Sequence, residues 1–450
     1  MRRSLICGVL LVGSLTGNPT LYAQSGVCTG VGSSPGDQQA RGVAADSQGN
    51  IYVAGSFTGA DSNLFGKPIE SNGGADAFLA RFAAGSCTPD WLVTFGGRGT
   101  DYGLDVDVDS RTGEPVFVGT VAEGAKLGTF EAPKGGTFAT RLEAQSGETV
   151  WVWFSEGGGG NEVALDSSGN THVALNTSEN IEIGGVRYTS QGRDAYLVKL
   201  SPTGAVLWSR QVGGPGEEQG RGIEIAPDGG ALLAGFFEQS LTNGPSLTSK
   251  GGQDVFLIKY SPSGSIAFSR SWGSDQDDTA RGVAADSQGI YLAGTFFGRL
   301  DFGTSLTIES EGAQDVFVGA LDLAGNPRWL KRIGGTSADE GGEVEVSGGA
   351  LYVAGQYSGG RAEFAQLELP KAEGSYDLFT GALNPGDGEA LWVYQNSASR
   401  GNEINYGIAH DLPADRVITV GHYTKSGEIG GVAVENAGGL DAYLSVVSTP

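Results

Sequence analysis

Apolar residues fall in short runs broken by glycine-rich polar stretches, and no segment sustains the 3.6-residue period of an amphipathic helix. The pattern predicts strands and turns, with little helix. Residues 42–46 read as a strand of small side chains, Val43, Ala44 and Ala45 among them, and residues 47–50 as a turn. Residues 51–57 and 76–82 are apolar at odd and even positions alike, which suits strands packed between two neighbouring sheets. Residues 91–95 complete a group of four strands. The expected fold class is all-β.

That group recurs. Residues 40–49 read ARGVAADSQG, and residues 280–289 repeat the string. A second marker is an Asp followed by small, aromatic and aliphatic residues, at Asp76, Asp194, Asp254, Asp315, Asp377 and Asp441, with Gly136 standing where the seventh is due. A third is an aromatic further on: Trp91, Trp151, Trp208, Phe268, Trp329 and Trp392. The markers divide the chain into repeats at about 39–101, 102–159, 160–219, 220–279, 280–340, 341–403 and 404–450. Small inner strands, doubly buried middle strands and seven repeats predict a seven-bladed β-propeller of four-stranded antiparallel blades in a single domain, 24–450. The seventh repeat stops after its third strand, while residues 26–31 precede the first repeat as an orphan strand. Residues 26–31 are therefore expected to close the last blade.

These residues resemble the SBBP-type β-propeller repeats of exported bacterial proteins. The matching elements are residues 49–57, 74–82 and 208–214, with the Asp-Phe-Gly element at 301–303. The resemblance spans roughly residues 27–450 and implies the propeller fold. It carries no shared activity or catalytic set.

Charge and leader narrow the function classes. The chain has 52 Asp plus Glu against 28 Lys plus Arg, a formal net charge of −24, which disfavours nucleic acid and anionic membranes as partners. Arg2 and Arg3, the apolar run 5–15 and Leu21-Tyr22-Ala23 read as an export signal, residues 1–23. No second long apolar run follows, so no transmembrane segment is expected in the mature chain. The expected location is the periplasm, cell surface or exterior of a bacterium. Cleavage removes Cys7 and leaves Cys28 and Cys87. Both map to one face on neighbouring blades at the ring closure, so a disulfide is expected there.

The repeated Asp residues are read as structural, accepting backbone N–H bonds in turns, and the repeated Trp residues as structural too. No helix-borne catalytic or nucleotide fingerprint is present, and the three histidines form no metal motif. The candidate binding residues are acids between strand d and the next strand a: Asp37, Asp101, Glu217, Glu218, Asp275, Asp277, Asp278, Asp339, Glu340 and Glu403, with Arg41, Arg221 and Arg281 balancing part of their charge. These connections leave the disc on the same face as the long b–c connections. The leading expectation is a non-catalytic binding or scaffold propeller presenting this acidic face to a protein or glycan, without a cofactor. A glycan hydrolase or lyase at the central channel is the alternative, marked by two carboxylates about 5–9 Å apart. A Ca²⁺-stabilised adhesive module is a third.

Overall fold

The computed structural model describes residues 20–21, 26–32, 34–303, 305–399 and 401–450. Most of the segment read as an export signal lies outside them; within it, Thr20–Leu21 pairs in parallel with Trp392 and Val393. The structure is a seven-bladed propeller, each blade a four-stranded antiparallel sheet with strand a at the centre and strand d at the rim. Blade 1 is Gln38–Ala45, Ile51–Phe57, Asp76–Phe82 and Trp91–Phe95. The inner strands of blades 2 to 7 are Tyr102–Val108, Gly159–Leu165, Glu218–Ile225, Thr279–Ala285, Glu340–Ser347 and Glu403–Asp411. Among the described residues the only helix is a 3-10 turn, Leu412–Ala414.

Strands b and c are buried along their whole length, as in Ile51–Phe57 and Asp76–Phe82. Their two apolar faces meet different neighbours. Every adjacent pair of blades shares a hydrophobic cluster, blades 6 and 7 two, so the core is a ring of seven inter-blade layers. The b–c connections, expected as long loops, form short hairpins such as Ser62–Leu64 with Lys67–Ile69 and Ala362–Phe364 with Leu367–Leu369. Several reach back to the outer strand of the preceding blade, where Ile333 pairs with Phe364 and Gly96 with Lys126. The Asp-Phe-Gly element lies in one of them, and Phe302 stacks on Trp272 of the blade before, ring centroids 4.4 Å apart.

Gly26–Val31 pairs antiparallel with Asp441–Ser448 and supplies the fourth strand of blade 7. The repeated Trp explains how each rim is fastened. Trp91, Trp151, Trp208 and Trp329 donate Nε1–H to backbone carbonyls in the c–d turn of the next blade, Ala144, Pro202, Pro262 and Pro385, at 2.9–3.1 Å. A turn glycine lies under each indole: Gly147, Gly204, Gly264 and Gly388. Phe268 keeps the stacking and lacks the donor, and Arg270 Nε supplies it to the Gly325 carbonyl at 3.0 Å. At the sixth junction Tyr394 donates to the Ser448 carbonyl at 3.3 Å, beside Trp392.

The seam uses a different fastener. The ladder pairs Trp91 with Arg81 in blade 1 and Cys28 with Val446 in blade 7, equivalent positions of strand c, so Cys28 sits where the tryptophan is due. Cys87 lies in the c–d turn of blade 1, near the position of the glycine under the indole. A disulfide joins the two, with Cα atoms 5.7 Å apart.

A second set of contacts joins the blades on the loop face. Asp76, Asp194, Asp254, Asp315, Asp377 and Asp441, all buried, begin strand c. One oxygen of most of them accepts a backbone N–H four residues upstream, as from Asn72 to Asp76 at 2.8 Å and from Glu311 to Asp315 at 3.0 Å. The other oxygen, Oδ1, has no donor in any of the six. In four junctions a second buried acid from the start of the next blade faces it: Asp101, Glu218, Asp278 and Asp339. That acid also accepts backbone N–H groups, as Asp339 does from Gly335 at 2.7 Å and Ser358 at 2.9 Å. Two buried carboxyls set against each other, as at Asp194–Glu218 and Asp315–Asp339, repel when both are ionised, which favours a proton on one of them. Burial first, and the facing carboxylate second, push Asp339 up to about 7; Glu218 reaches about 8, and Asp254 and Asp278 about 6. The glycine ending strand d makes room for this contact: a Cβ on Gly96 would fall 2.3 Å from Asp76 Oδ1 and 2.8 Å from Asp101 Oδ2. Where Gly136 replaces the first acid, no second acid is present either; Gly158 stands there, opposite Thr177.

Two outcomes follow. The Cys28–Cys87 bond closes a loop with a sequence separation of 59, so its removal by Cys28→Ser with Cys87→Ser is expected to cost about 4 kcal/mol in the chain-entropy model. Denaturant titration of the variant against the oxidised wild type measures it, and coincident curves would contradict a covalent seam. The paired carboxyls have folded-state pKa values above their unfolded ones, so the folded state holds extra protons. Their stabilisation is complete below the usual carboxylate range and fades as pH rises through about 6 to 8. The unfolding temperature is therefore expected to fall between about pH 5 and pH 8, with Glu218→Gln flattening the slope; a scan that is flat over this range in the wild type would refute the extra protons.

Candidate functional site

Each inner strand carries a bulge, a residue that strand b skips in the ladder: Arg41, Leu104, Asn161, Arg221, Arg281, Gly342 and Tyr406. The bulge re-aims the strand, so the next residue and the one two beyond face the channel. The first of these positions holds Gly42, Asp105, Glu162, Gly222, Gly282, Glu343 and Gly407. The second holds Ala44, Asp107, Ala164, Glu224, Glu345 and Ala409, while Ala284, its equivalent in blade 5, is buried in the cluster shared with blade 6. Six carboxylates therefore stand in two tiers of three around a channel of about 310 Å³. The glycines between them are needed because inner strands crowd: a Cβ on Gly42 would lie 2.5 Å from the Cα of Asp105.

Two of these acids bind the neighbouring blade. Asp105 Oδ2 accepts from the Val163 N–H at 2.9 Å, and Asp107 Oδ2 from Leu165 at 2.7 Å. Glu162 stands close enough to Asp105 for the two charges to repel. Burial pushes Asp105 up to about 6 and Asp107, Glu343 and Glu345 up to about 7. Glu162 and Glu224 are raised well above the normal carboxylate range by burial, then by the acids opposite. Near neutral pH the channel is thus partly protonated.

Above the upper tier, on the loop face, the bulged residues ring a mouth of about 250 Å³ lined by Arg41, Arg221, Arg281, Asn161, Gln219 and Tyr406, with Leu104 and the upper-tier acids Glu162 and Glu343 at its floor. Among the described residues none of the three arginines forms an ion pair. Arg41 is braced by Gln39 Oε1 at 2.8 Å and stacks 4.8 Å over Tyr406; Arg221 is braced by Gln219 Oε1 at 3.2 Å. Arg281 Nε is buried without an acceptor. Burial, then repulsion from Arg281, lowers Arg221 to about 10.

The loop acids do not act as one exposed set. Asp101, Glu218, Asp278 and Asp339 are fully buried, because their carboxylates serve the junctions between blades, and Glu403 is buried at the equivalent place in blade 7. Asp101, for example, accepts from the Gly97 and Ala122 N–H groups. These five are withdrawn from any partner-facing role. Asp37 is exposed, and Gln38 holds the buried position in the first blade. Glu217, Asp275 and Asp277 are exposed and Glu340 half-buried. Among the described residues no three His, Cys, Asp or Glu side chains converge as a metal-ligand set, and no helix is long and apolar enough to cross a membrane.

The channel acids escaped the sequence reading, though Asp105-Val-Asp107 and Glu343-Val-Glu345 show carboxylates at alternate positions of a strand placed at the centre. Arg41, Arg221 and Arg281 were read as balancing loop charge, and the bulge turns them into the mouth.

Among curated proteins, the chain is 24% identical over 424 residues to the Regulatory protein FlaEY of Caulobacter vibrioides, covering 85% of this chain and 42% of that protein. It spans less than half the length of that relative. Among solved structures, the WD40 domain of Neurospora crassa Pan2 superposes with a TM-score of 0.50 at 9% identity, covering 96% of this chain and 98% of that one. A Bacteroides caccae protein of unknown function gives a TM-score of 0.38 at 12% identity over 76% and 98% of the two chains. Likeness at this identity reports the fold alone. The family model that matches covers the seam, from the closing strand of blade 7 through strands a and b of blade 1. The chain is a seven-bladed β-propeller whose residues 29–61 match the SBBP β-propeller repeat.

Proposed function

We propose that this chain is an exported, non-catalytic binding propeller that takes an anionic group of a protein or glycan partner at the mouth of its central channel. The observation that carries the reading is the trio Arg41, Arg221 and Arg281, held together without an ion pair in a chain of net charge −24. Arg221 and Arg281, half-buried on adjacent blades, repel one another, and an incoming anion relieves that repulsion. A relative named as a regulatory protein supports a role exerted through binding. Export rests on the leader at residues 1–23 and on the SBBP likeness. No cofactor enters the proposal.

A second reading keeps the exposed acids Asp37, Glu217, Asp275 and Asp277 as contacts for a basic partner on the same face. Paired glycan and peptide arrays separate the two. The wild-type mature chain is expected to give hits that weaken with salt, since exposed charges are screened beyond about 10 Å at 0.1 M. Those hits should vanish with Arg41→Gln, Arg221→Gln and Arg281→Gln combined and survive Asp275→Asn with Asp277→Asn. The opposite pattern would move the site to the acidic rim, and hits indifferent to both variants would overturn both readings.

A further inference from the structure

We propose that the anionic group taken at the channel mouth is the carboxylate of an acidic sugar, a uronic-acid residue of a glycan, seated between Arg221 and Arg281 with its ring against Tyr406. The inference rests on the binding reading above and names its ligand class.

Charge sets the first limit. The arginines form only the upper layer of the site, and the upper carboxylate tier lies directly beneath them: Glu343 interacts with both Arg281 and Arg221. A phosphate dianion would bring two negative charges onto those acids. A monoanion satisfies the guanidiniums and adds the least repulsion below. A planar carboxylate also matches the two-donor fork of a guanidinium. Arg281 Nε, buried and without an acceptor, is the open half of such a fork.

Shape and polarity set the second. The mouth of about 250 Å³ has room for one sugar ring. Its wall combines amides with one aromatic. Asn161 Nδ2 is held by the Gly220 carbonyl at 2.8 Å, which fixes the amide and leaves its oxygen for a hydroxyl donor. Gln219 is fixed from its other side, its Oε1 accepting from Arg221 at 3.2 Å, which leaves its amide N–H groups for a hydroxyl acceptor. Tyr406 has one face occupied by Arg41. A sugar ring carries hydroxyls for the amides and an apolar C–H face for the tyrosine edge. An acidic peptide side chain brings the carboxylate and neither of the others.

The third point is the position of the mouth. It opens on the face of the b–c hairpins, and the exposed acids Asp275 and Asp277 lie out in a d–a loop. A polyanion lying flat across the face would meet them. A chain end dipping into the centre presents one charged residue to the arginines and keeps the rest away. The site therefore fits the terminal uronic residue of a chain that enters end-on better than a polyanion lying flat.

Calorimetric titration of the mature chain with trigalacturonate tests this, beside its fully methyl-esterified form and a pentaglutamate peptide. Trigalacturonate should bind, and the ester should bind about tenfold more weakly, because it keeps the shape and loses the charge. Arg221→Gln and Arg281→Gln should each weaken trigalacturonate about tenfold with unchanged unfolding midpoints. Arg281→Lys, which keeps the charge and removes the fork, should also weaken it, and guards against a variant that merely misfolds. Equal affinity for ester and acid would overturn the proposal, as would tighter binding of pentaglutamate. If trigalacturonate fails to bind while array hits still depend on the arginines, the sugar assignment falls and the binding reading stands.

Discussion

A propeller sheet has no face of its own to spare. Strands b and c are apolar on both sides, so a blade is stable only between two others, and a row of blades is finished only when it closes. Everything else in this molecule answers to that constraint. The inner strands narrow to glycine and alanine so that seven can meet at one axis. The rim carries a fastener from each outer strand to the next turn. The b–c hairpins reach backward and cover the edge of the preceding sheet. Closure itself comes from residues 26–31, which belong to blade 7 although they stand before blade 1 in the chain.

The same constraint explains where the acidity goes. A formal charge of −24 suggests a surface field, yet many carboxylates lie inside the ring, in junction pairs and channel tiers. Burial and mutual repulsion keep several of them protonated near neutral pH, so the folded chain carries less charge than its composition implies. A buried acid of this kind acts as a hydrogen-bonding strut that depends on a proton. The three mouth arginines stand out for the opposite reason, being charged groups braced by amides and rings, with no salt bridge to a carboxylate among the described residues.

The architecture was legible because it repeats. A marker such as Asp76 or Trp91 means little once and a great deal six times over, and the orphan strand at 26–31 with a three-stranded last repeat left one way to close. The site was less legible, for two physical reasons. Whether a loop acid faces water or a backbone N–H depends on one residue of register; Glu217 is exposed and Glu218 is buried. Whether an inner-strand residue faces the channel depends on a bulge, which periodicity in a single strand does not reveal. Asp105 and Glu343 look like surface residues of a strand until the bulge is placed. The arginines were visible in the repeated Ala-Arg-Gly and Gly-Arg-Gly strings, but only the ring brings blades 1, 4 and 5 to one point.

The seam fastener also separates in time what the other junctions do together. Indole and guanidinium bolts set as soon as two neighbouring blades meet, under any conditions that fold them. The bolt between blades 7 and 1 sets only when an electron acceptor removes two electrons from Cys28 and Cys87. Until then the disc is a stack of blades with one unlatched joint, open to rearrangement or to proteolysis at its first strand. The molecule thereby carries a record of its surroundings: the ring is sealed in an oxidising space and stays provisional in a reducing one.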